Sequence, residues 1–216
     1  MKRLITERDV LAACKQRRTK LILPPDGIVT PAAADAARQR KIEIVRGAPP
    51  LVDAKILKFD PNSTLPSKVV LGSDHGGFEL KTELVSYVEE LGHRTEDIGT
   101  FSTDAVDYPD YAHLVAQRVA RDETVVGIIV DGAGVGSAMA ANKVPGVRAA
   151  ACYDPYTARN SREHNFANVL ALGSRVIGID IARQIVKTWL ETDYGAERHA
   201  RRVAKIVEIE QKYRDS

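Results

Sequence analysis

Residues Thr124–Arg148 read TVVGIIVDGAGVGSAMAANKVPGVR. Val125 to Val130 is a short apolar run of the kind found in strands buried on both faces. It runs directly into Asp131 and a glycine-spaced turn, Gly132-Ala133-Gly134-Val135-Gly136, and then into an alanine-rich helix expected over Ser137 to Asn142. Such a turn leaves backbone N–H groups without local acceptors at the positive end of a helix dipole, which makes a concavity suited to an anion. Asp131 places a carboxylate at its lip. A base beside an anion hole is what proton abstraction next to a carbonyl requires.

Working outward, strand and helix patterns alternate from Lys68 to Tyr213. Strands are expected at Val69–Gly72, Arg94–Ile98, Val125–Val130, Val147–Tyr153 and Val169–Leu172. Helices are expected at Phe78–Leu91, Tyr111–Arg121, Ser137–Asn142, Pro155–Glu163, Ile179–Leu190 and Ala196 to about Lys212. This alternation predicts an α/β fold, a Rossmann-like parallel sheet with helices on both faces. Ligands on such sheets collect at the carboxyl ends of the strands, where Asp74-His75, Asp131-Gly132 and Tyr153-Asp154 all fall.

Met1 to Arg46 reads as a small α/β extension with the order helix, strand, helix, strand. Thr6 is the expected N-cap of the first helix, with Asp9 three residues on and Val10, Leu11 and Cys14 at helical spacing. A strand at Lys20–Leu23 is stopped by Pro24-Pro25. Thr30-Pro31 then opens a second helix reaching about Arg40, followed by a strand at Ile42–Val45. Residues 47–67 contain Pro49, Pro50, Pro61 and Pro66 and read as a linker with a short extended segment at Ala54–Phe59, leaving residues 68–216 as the main domain.

The chain of 216 residues carries a net charge of +2, which gives no bulk electrostatic case for a nucleic-acid partner. Two distant cysteines, Cys14 and Cys152, do not make a disulfide framework, and Cys/His metal spacing is absent. There is no apolar run of membrane length and no signal-peptide core, so no membrane partner is expected and a cytoplasmic location is.

The glycine turn has the spacing G-x-G-x-G, whereas a dinucleotide fingerprint has G-x-G-x-x-G. Ser137 stands where the third glycine would be, although Asp154 lies near where a ribose-binding acid would be sought. A phosphate P-loop is excluded by the absence of G-K-[ST]. Asp74-His75-Gly76-Gly77 is either a helix cap with a surface imidazole or a place where backbone closely approaches a ligand. His164-Asn165 is either a polar helix end or part of a site. Arg198, His199 and Arg202 are spaced to share one helix face, either solvated or forming a fork for a phosphate.

Taken together, GSDHGGFELK, DYPDYA, DGAGVGSAMAANKVPGVRAA, SREHNFANVLALGSRVIG and ERHARRV resemble ribose-5-phosphate isomerase B and the related galactose-6-phosphate isomerase subunits over nearly all of Lys68–Tyr213. The resemblance implies a metal-free and cofactor-free aldose–ketose isomerase of sugar phosphates, working through an enediolate at sites in a homodimer or dimer of dimers. It implies that Asp131 and His164 are catalytic, with His164 assisting furanose opening. It implies that Asp74, His75 and Tyr108 line the sugar site. Gly132, Ala133, Gly134, Val135, Gly136 and Ser137 form its anion-binding turn. Asn165 stands beside His164, and Arg175, Arg198, His199 and Arg202 contact the phosphate or its surroundings. Two features depart from the family, the base and a hydroxyl in the turn. One branch has a cysteine base where this chain has Asp131, and the other a glutamate where it has Ser137. Ala133 replaces a hydroxyl residue.

LITERDVLAA and LPPDGIVTPAAADAA, in the first 46 residues, resemble the N-terminal segments of ethanolamine-utilisation proteins of bacterial microcompartments. That implies docking to a shell or cargo protein, beside the alternative of an appended oligomerisation or stabilising unit. The expected activity is conversion of ribose 5-phosphate to ribulose 5-phosphate. The alternatives are isomerisation of another sugar phosphate, such as a hexose 6-phosphate, and a catalytically weak sugar-phosphate-binding or structural protein.

Overall fold

The computed structural model describes residues 4–15, 19–23, 27–46, 66 and 68–214. The chain divides into two compact units, Met1–Ile56 and Leu57–Ser216. The expected extended segment at Ala54–Phe59 lies outside the described residues.

The first unit contains β1 (Leu4–Ile5), α1 (Glu7–Lys15), β2 (Lys20–Leu23), β3 (Ile28–Val29), α2 (Pro31–Gln39) and β4 (Glu43–Arg46). The caps act as their sequence predicts. The Thr6 N–H and hydroxyl both donate to Asp9 Oδ2 at 2.7 Å, and Ala33 N–H donates to Thr30 Oγ1 at 3.2 Å with Pro31 in the first turn. The strands pair in parallel, β1 with β3 and β2 with β4. The β1–β3 pair was not legible because each strand is only two residues long. The buried face of α1 carries Val10 and Ala13, whereas Leu11 and Cys14 are exposed. Among the described residues, the core of this unit is built on Ile5, Val10, Leu23, Ala33, Ala36 and Ile42.

The second unit is a five-stranded parallel sheet with the order β6-β5-β7-β9-β8. Its elements are β5 (Lys68–Ser73), α3 (Phe78–Glu90), β6 (Arg94–Asp97), α4 (Tyr108–Arg121), β7 (Val125–Asp131), α5 (Val135–Ala141), β8 (Ala149–Ala151), α6 (Pro155–Asn165), β9 (Val169–Gly173), α7 (Ile179–Leu190) and α8 (Glu197–Arg214). Every residue of the central strand β7 is buried, as its unbroken apolar run requires. One face is sealed by a core that includes Leu84, Val88, Trp189 and Leu190, the other by one that includes Ala112, Val115, Ala116 and Ala141.

Two boundaries differ from expectation near the sheet's carboxyl edge. Helix α4 begins at Tyr108, since Pro109 fits its first turn and Asp107 takes the N-cap position. Helix α5 begins at Val135, because Gly134 adopts φ 80° and turns the chain one step earlier. The Lys81 side chain is fully buried and donates to both oxygens of Asp97 at 2.6 Å and to Thr100 O at 2.9 Å. It thereby ties α3 to the end of β6.

Because each unit buries its own core, a chain beginning at Ser67 is expected to fold without the first unit. Circular dichroism of that truncated chain should give an α/β spectrum and a cooperative thermal transition. A non-cooperative melt would contradict the division.

Candidate active site

Strand β7 delivers Asp131 to the carboxyl edge of the sheet, where its side chain is 4% exposed. Its Oδ1 accepts the N–H groups of Ala133, at 2.7 Å, and Gly134. Its Oδ2 accepts Ser137 N–H at 3.0 Å. A carboxylate oxygen has two in-plane lone pairs, so Oδ1 is saturated while Oδ2 keeps one for another proton. The carboxylate therefore fills part of the anion hole that its own turn creates. The turn was expected to offer its amides to a bound oxygen, and three of them serve Asp131 instead. Val135 and Gly136, the first two helical positions, have no acceptor within α5.

The loops around Asp131 are tied to it through the backbone. Ser174 N–H donates to Asp131 O at 2.8 Å and Arg175 N–H to Gly132 O at 3.1 Å. Ser174 Oγ donates to Gly76 O at 2.7 Å, which joins the loop after β9 to the loop after β5. Asp74, 9% exposed, accepts Gly77 N–H at 2.9 Å, which closes the turn before α3 and is not a cap of that helix, since Gly77 itself is the N-cap. A Cβ on Gly77 would lie 2.2 Å from Val130 O, so only glycine lets α3 start this close to β7. His75 Nδ1 lies 3.1 Å from the carbonyl and 3.2 Å from the amide nitrogen of Val106. The Tyr108 ring covers Gly136 so closely that a Cβ there would come within 2.7 Å of it. The exposed Arg175 runs beside Gly132, and Tyr153 Oη donates to Ala133 O at 3.1 Å. One edge thus gathers Asp74, His75, Tyr108, Asp131, the turn through Ser137, Tyr153 and Arg175.

The remaining expected residues form a second cluster elsewhere. Helix α6 leaves the carboxyl edge after β8 and must return to the opposite edge to start the parallel strand β9. Its 11 residues span about 16 Å. His164 and Asn165, at its end, therefore lie at the amino edge. There α8 packs on it, with Gly195 N–H donating to Glu163 O at 2.8 Å. The His164 and His199 rings stack with centroids 4.0 Å apart and planes 8° from parallel. Arg198 and Arg202 are exposed, whereas His199 is 3% exposed and turned inward. The expectation that the three share one face is thereby corrected, with His199 stacked on His164 and the two arginines in solvent.

Asp154 is the N-cap of α6, accepting Thr157 N–H at 2.9 Å, which removes it as a ribose-binding acid. Cys152 is 1% exposed and burial pushes its thiol up, so it offers no ready thiolate. Sequence reasoning passed over Ser174 and Asn160. Ser174 lay within a quoted motif, and Asn160 stands one helical turn before His164. Among the described residues no three His, Cys, Asp or Glu side chains gather as a metal-binding set, and no helix is long and apolar enough to cross a membrane.

The parallel sheet thus carries a carboxylate, an imidazole and a glycine-rich turn at one edge and a basic histidine cluster at the other. Residues 69–206 match the Ribose/Galactose Isomerase family, and the chain belongs to it, which makes it a sugar-phosphate aldose–ketose isomerase of the α/β class. It is 48% identical over 145 residues to ribose-5-phosphate isomerase B of Escherichia coli, covering 67% of this chain and 97% of that protein. Among solved structures, ribose-5-phosphate isomerase B of Clostridium thermocellum matches with a TM-score of 0.66 and 51% identity, covering 68% of this chain and 99% of that one. The type B enzyme of Trypanosoma brucei matches with a TM-score of 0.65 and 49% identity, covering 67% and 99%.

Burial lowers the proton affinity of His199, and His164, Arg198 and Arg202 lower it further. The unfolded chain takes up a proton at its ordinary pKa of about 6.5 that the folded His199 refuses. Stability from this group is therefore complete above that pH and falls as pH drops through it. The thermal midpoint should decline from about pH 7.5 to about pH 5.5, and less steeply in His199→Gln. Equal slopes in variant and parent would remove His199 from this dependence.

Proposed function

We propose that this chain interconverts ribose 5-phosphate and ribulose 5-phosphate through an enediolate, with Asp131 as the base and with each site completed by a second copy of the chain. The observation that carries the reading is the Asp131 carboxylate, held by three amides with one Oδ2 lone pair left over. In the open-chain aldose, Oδ2 takes the C2 hydrogen as a proton, and the C–H electron pair becomes the C1=C2 bond while O1 gains the charge. The O2 proton passes to O1, and Asp131 returns its proton to C1. C2 is then a ketone and C1 a hydroxymethyl group. C1 is reduced as C2 is oxidised, so no external oxidant is needed. Asp74, His75 and Tyr108 line the sugar chain, and the Val135 and Gly136 amides face the oxygen that carries the developing charge.

His164 and Asn165 assist opening of the furanose, and Arg198 and Arg202 hold the phosphate, with Arg175 and His199 at its margin. Within one chain these residues, Arg175 excepted, stand on the edge opposite Asp131. A two-fold homodimer that lays one copy's amino-edge cluster over the other's carboxyl edge supplies both halves, and the family resemblance supports that assembly. We assign residues 1–46 to docking within a bacterial microcompartment in the cytoplasm, on the strength of their short resemblance to ethanolamine-utilisation proteins. The chain beginning at Ser67 then keeps its turnover.

Asp131→Asn should bind a phosphorylated inhibitor as the parent does and lower kcat by about 10²-fold or more. An unchanged kcat would remove Asp131 as the base. The parent should not turn over 2-deoxyribose 5-phosphate, which lacks the C2 hydroxyl that becomes the ketone. Turnover of it would contradict the enediolate. Arg202→Ala should weaken binding of the phosphorylated inhibitor about tenfold. Equal affinity by calorimetry would take Arg202 out of the phosphate site.

A further inference from the structure

The hydrogen bonds at the end of α6 form a chain with one direction. Asn165 Nδ2 lies 3.4 Å from the backbone carbonyl of Asn160 and 3.3 Å from Asn160 Oδ1. A backbone carbonyl can only accept, so the Asn165 amide nitrogen must face it. That nitrogen donates to Asn160 as well, which requires the oxygen of Asn160 on that side. The Asn160 amide nitrogen is then turned toward His164, 3.0 Å from Nδ1. Since Nδ2 is a donor, His164 Nδ1 must accept. Its proton therefore resides on Nε2, on the side where Glu163 Oε1 lies 3.7 Å away.

We propose that Asn160 is a positioning residue that locks His164 as the neutral Nε2–H tautomer, so that His164 acts on the sugar as a hydrogen-bond donor and not as an imidazolium acid. The proposal deepens the isomerase reading, on which the ring-opening role of His164 rests. A donor opposite Nδ1 leaves no room for a second ring proton there, so the imidazolium is disfavoured by geometry. Arg198 Nε–H donates to His199 Nε2 at 3.0 Å, which fixes the second ring as the Nδ1–H tautomer. That ring lies parallel against His164 at 4.0 Å, with the charged Arg198 and Arg202 on the same helix. Glu163 is the acid facing the pair. A neutral imidazole that polarises a substrate oxygen by donating one hydrogen bond suits ring opening, because it withdraws charge from the ring oxygen without depending on a protonated fraction near neutral pH.

The test uses the full-length protein labelled with 15N. Long-range 1H–15N correlation at about pH 8, where free imidazole is neutral, distinguishes the two tautomers, with His164→Gln identifying the resonance. The parent should show His164 as Nε2–H. Asn160→Asp, which presents only acceptors to Nδ1, should move the proton to Nδ1, and Asn160→Leu should give a mixture. A parent His164 in the Nδ1–H form, or one tautomer unchanged across all three proteins, overturns the proposal.

Kinetics adds a second reading. Ribulose 5-phosphate cannot close a five-membered ring, since its O5 is esterified. Exchange of its C1 hydrogen with solvent deuterium therefore reports proton transfer alone. Asn160→Asp should lower turnover of ribose 5-phosphate about tenfold while leaving that exchange near the parent's rate. Equal loss in both would show a general structural defect and overturn the positioning role. If His164→Gln turns over ribose 5-phosphate like the parent, the ring-opening role fails, and the tautomer spectra still decide what Asn160 does.

Discussion

A carboxylate bonded to three backbone amides is the contact on which the rest of the site depends. Asp131 ends the central strand of the sheet and accepts the N–H groups of Ala133, Gly134 and Ser137. Those bonds fold the turn back over the strand end and start α5. The turn then positions Gly136 under Tyr108, and the Gly132 carbonyl receives the Arg175 amide. Ser174 closes the arrangement by bonding Asp131 O through its amide and Gly76 O through its hydroxyl. The carboxylate thus holds its own turn, and the backbone carbonyls of Asp131 and Gly132 hold the loop after β9. For the same reason a base at this position is held rigidly, as efficient proton transfer from carbon requires.

The parallel topology imposes a second constraint. Helix α6, about 16 Å long, must recross the sheet between β8 and β9, which puts His164 at the edge opposite Asp131. No rotamer change closes such a gap. The proposed chemistry consequently needs two copies of the chain. Exposed apolar side chains near the carboxyl edge, among them Phe101, Val135, Met139 and Tyr156, are available for burial in that assembly.

Much of this was legible in the sequence, for identifiable reasons. Buried parallel strands read as unbroken apolar runs, so Val125–Val130 located the central strand, and Thr30-Pro31 and Thr6 marked their helices. The residues grouped around Asp131 were legible because strand ends of such sheets face ligands. What escaped was set by geometry beyond local pattern. The pair Leu4–Ile5 and Ile28–Val29 is too short for any periodicity. The inward turn of His199 depends on a ring contributed by another helix. The use of turn amides by Asp131 itself could not be inferred from glycine spacing, which shows that amides are available but not which acceptor takes them. Asn160 carries its meaning only through a chain of hydrogen bonds one helical turn long.

The central claim, that Asp131 of one copy works with His164 and Arg202 of another, is tested most directly by mixing two inactive proteins. One carries Asp131→Asn, the other His164→Ala with Arg202→Ala. Unfolded together and refolded in equal amounts, half the dimers contain one chain of each kind. In a shared site each such dimer has one site free of every substitution, so about a quarter of the parent activity should return. Activity no higher than that of the separate variants would place both halves of the site within one chain and contradict the account.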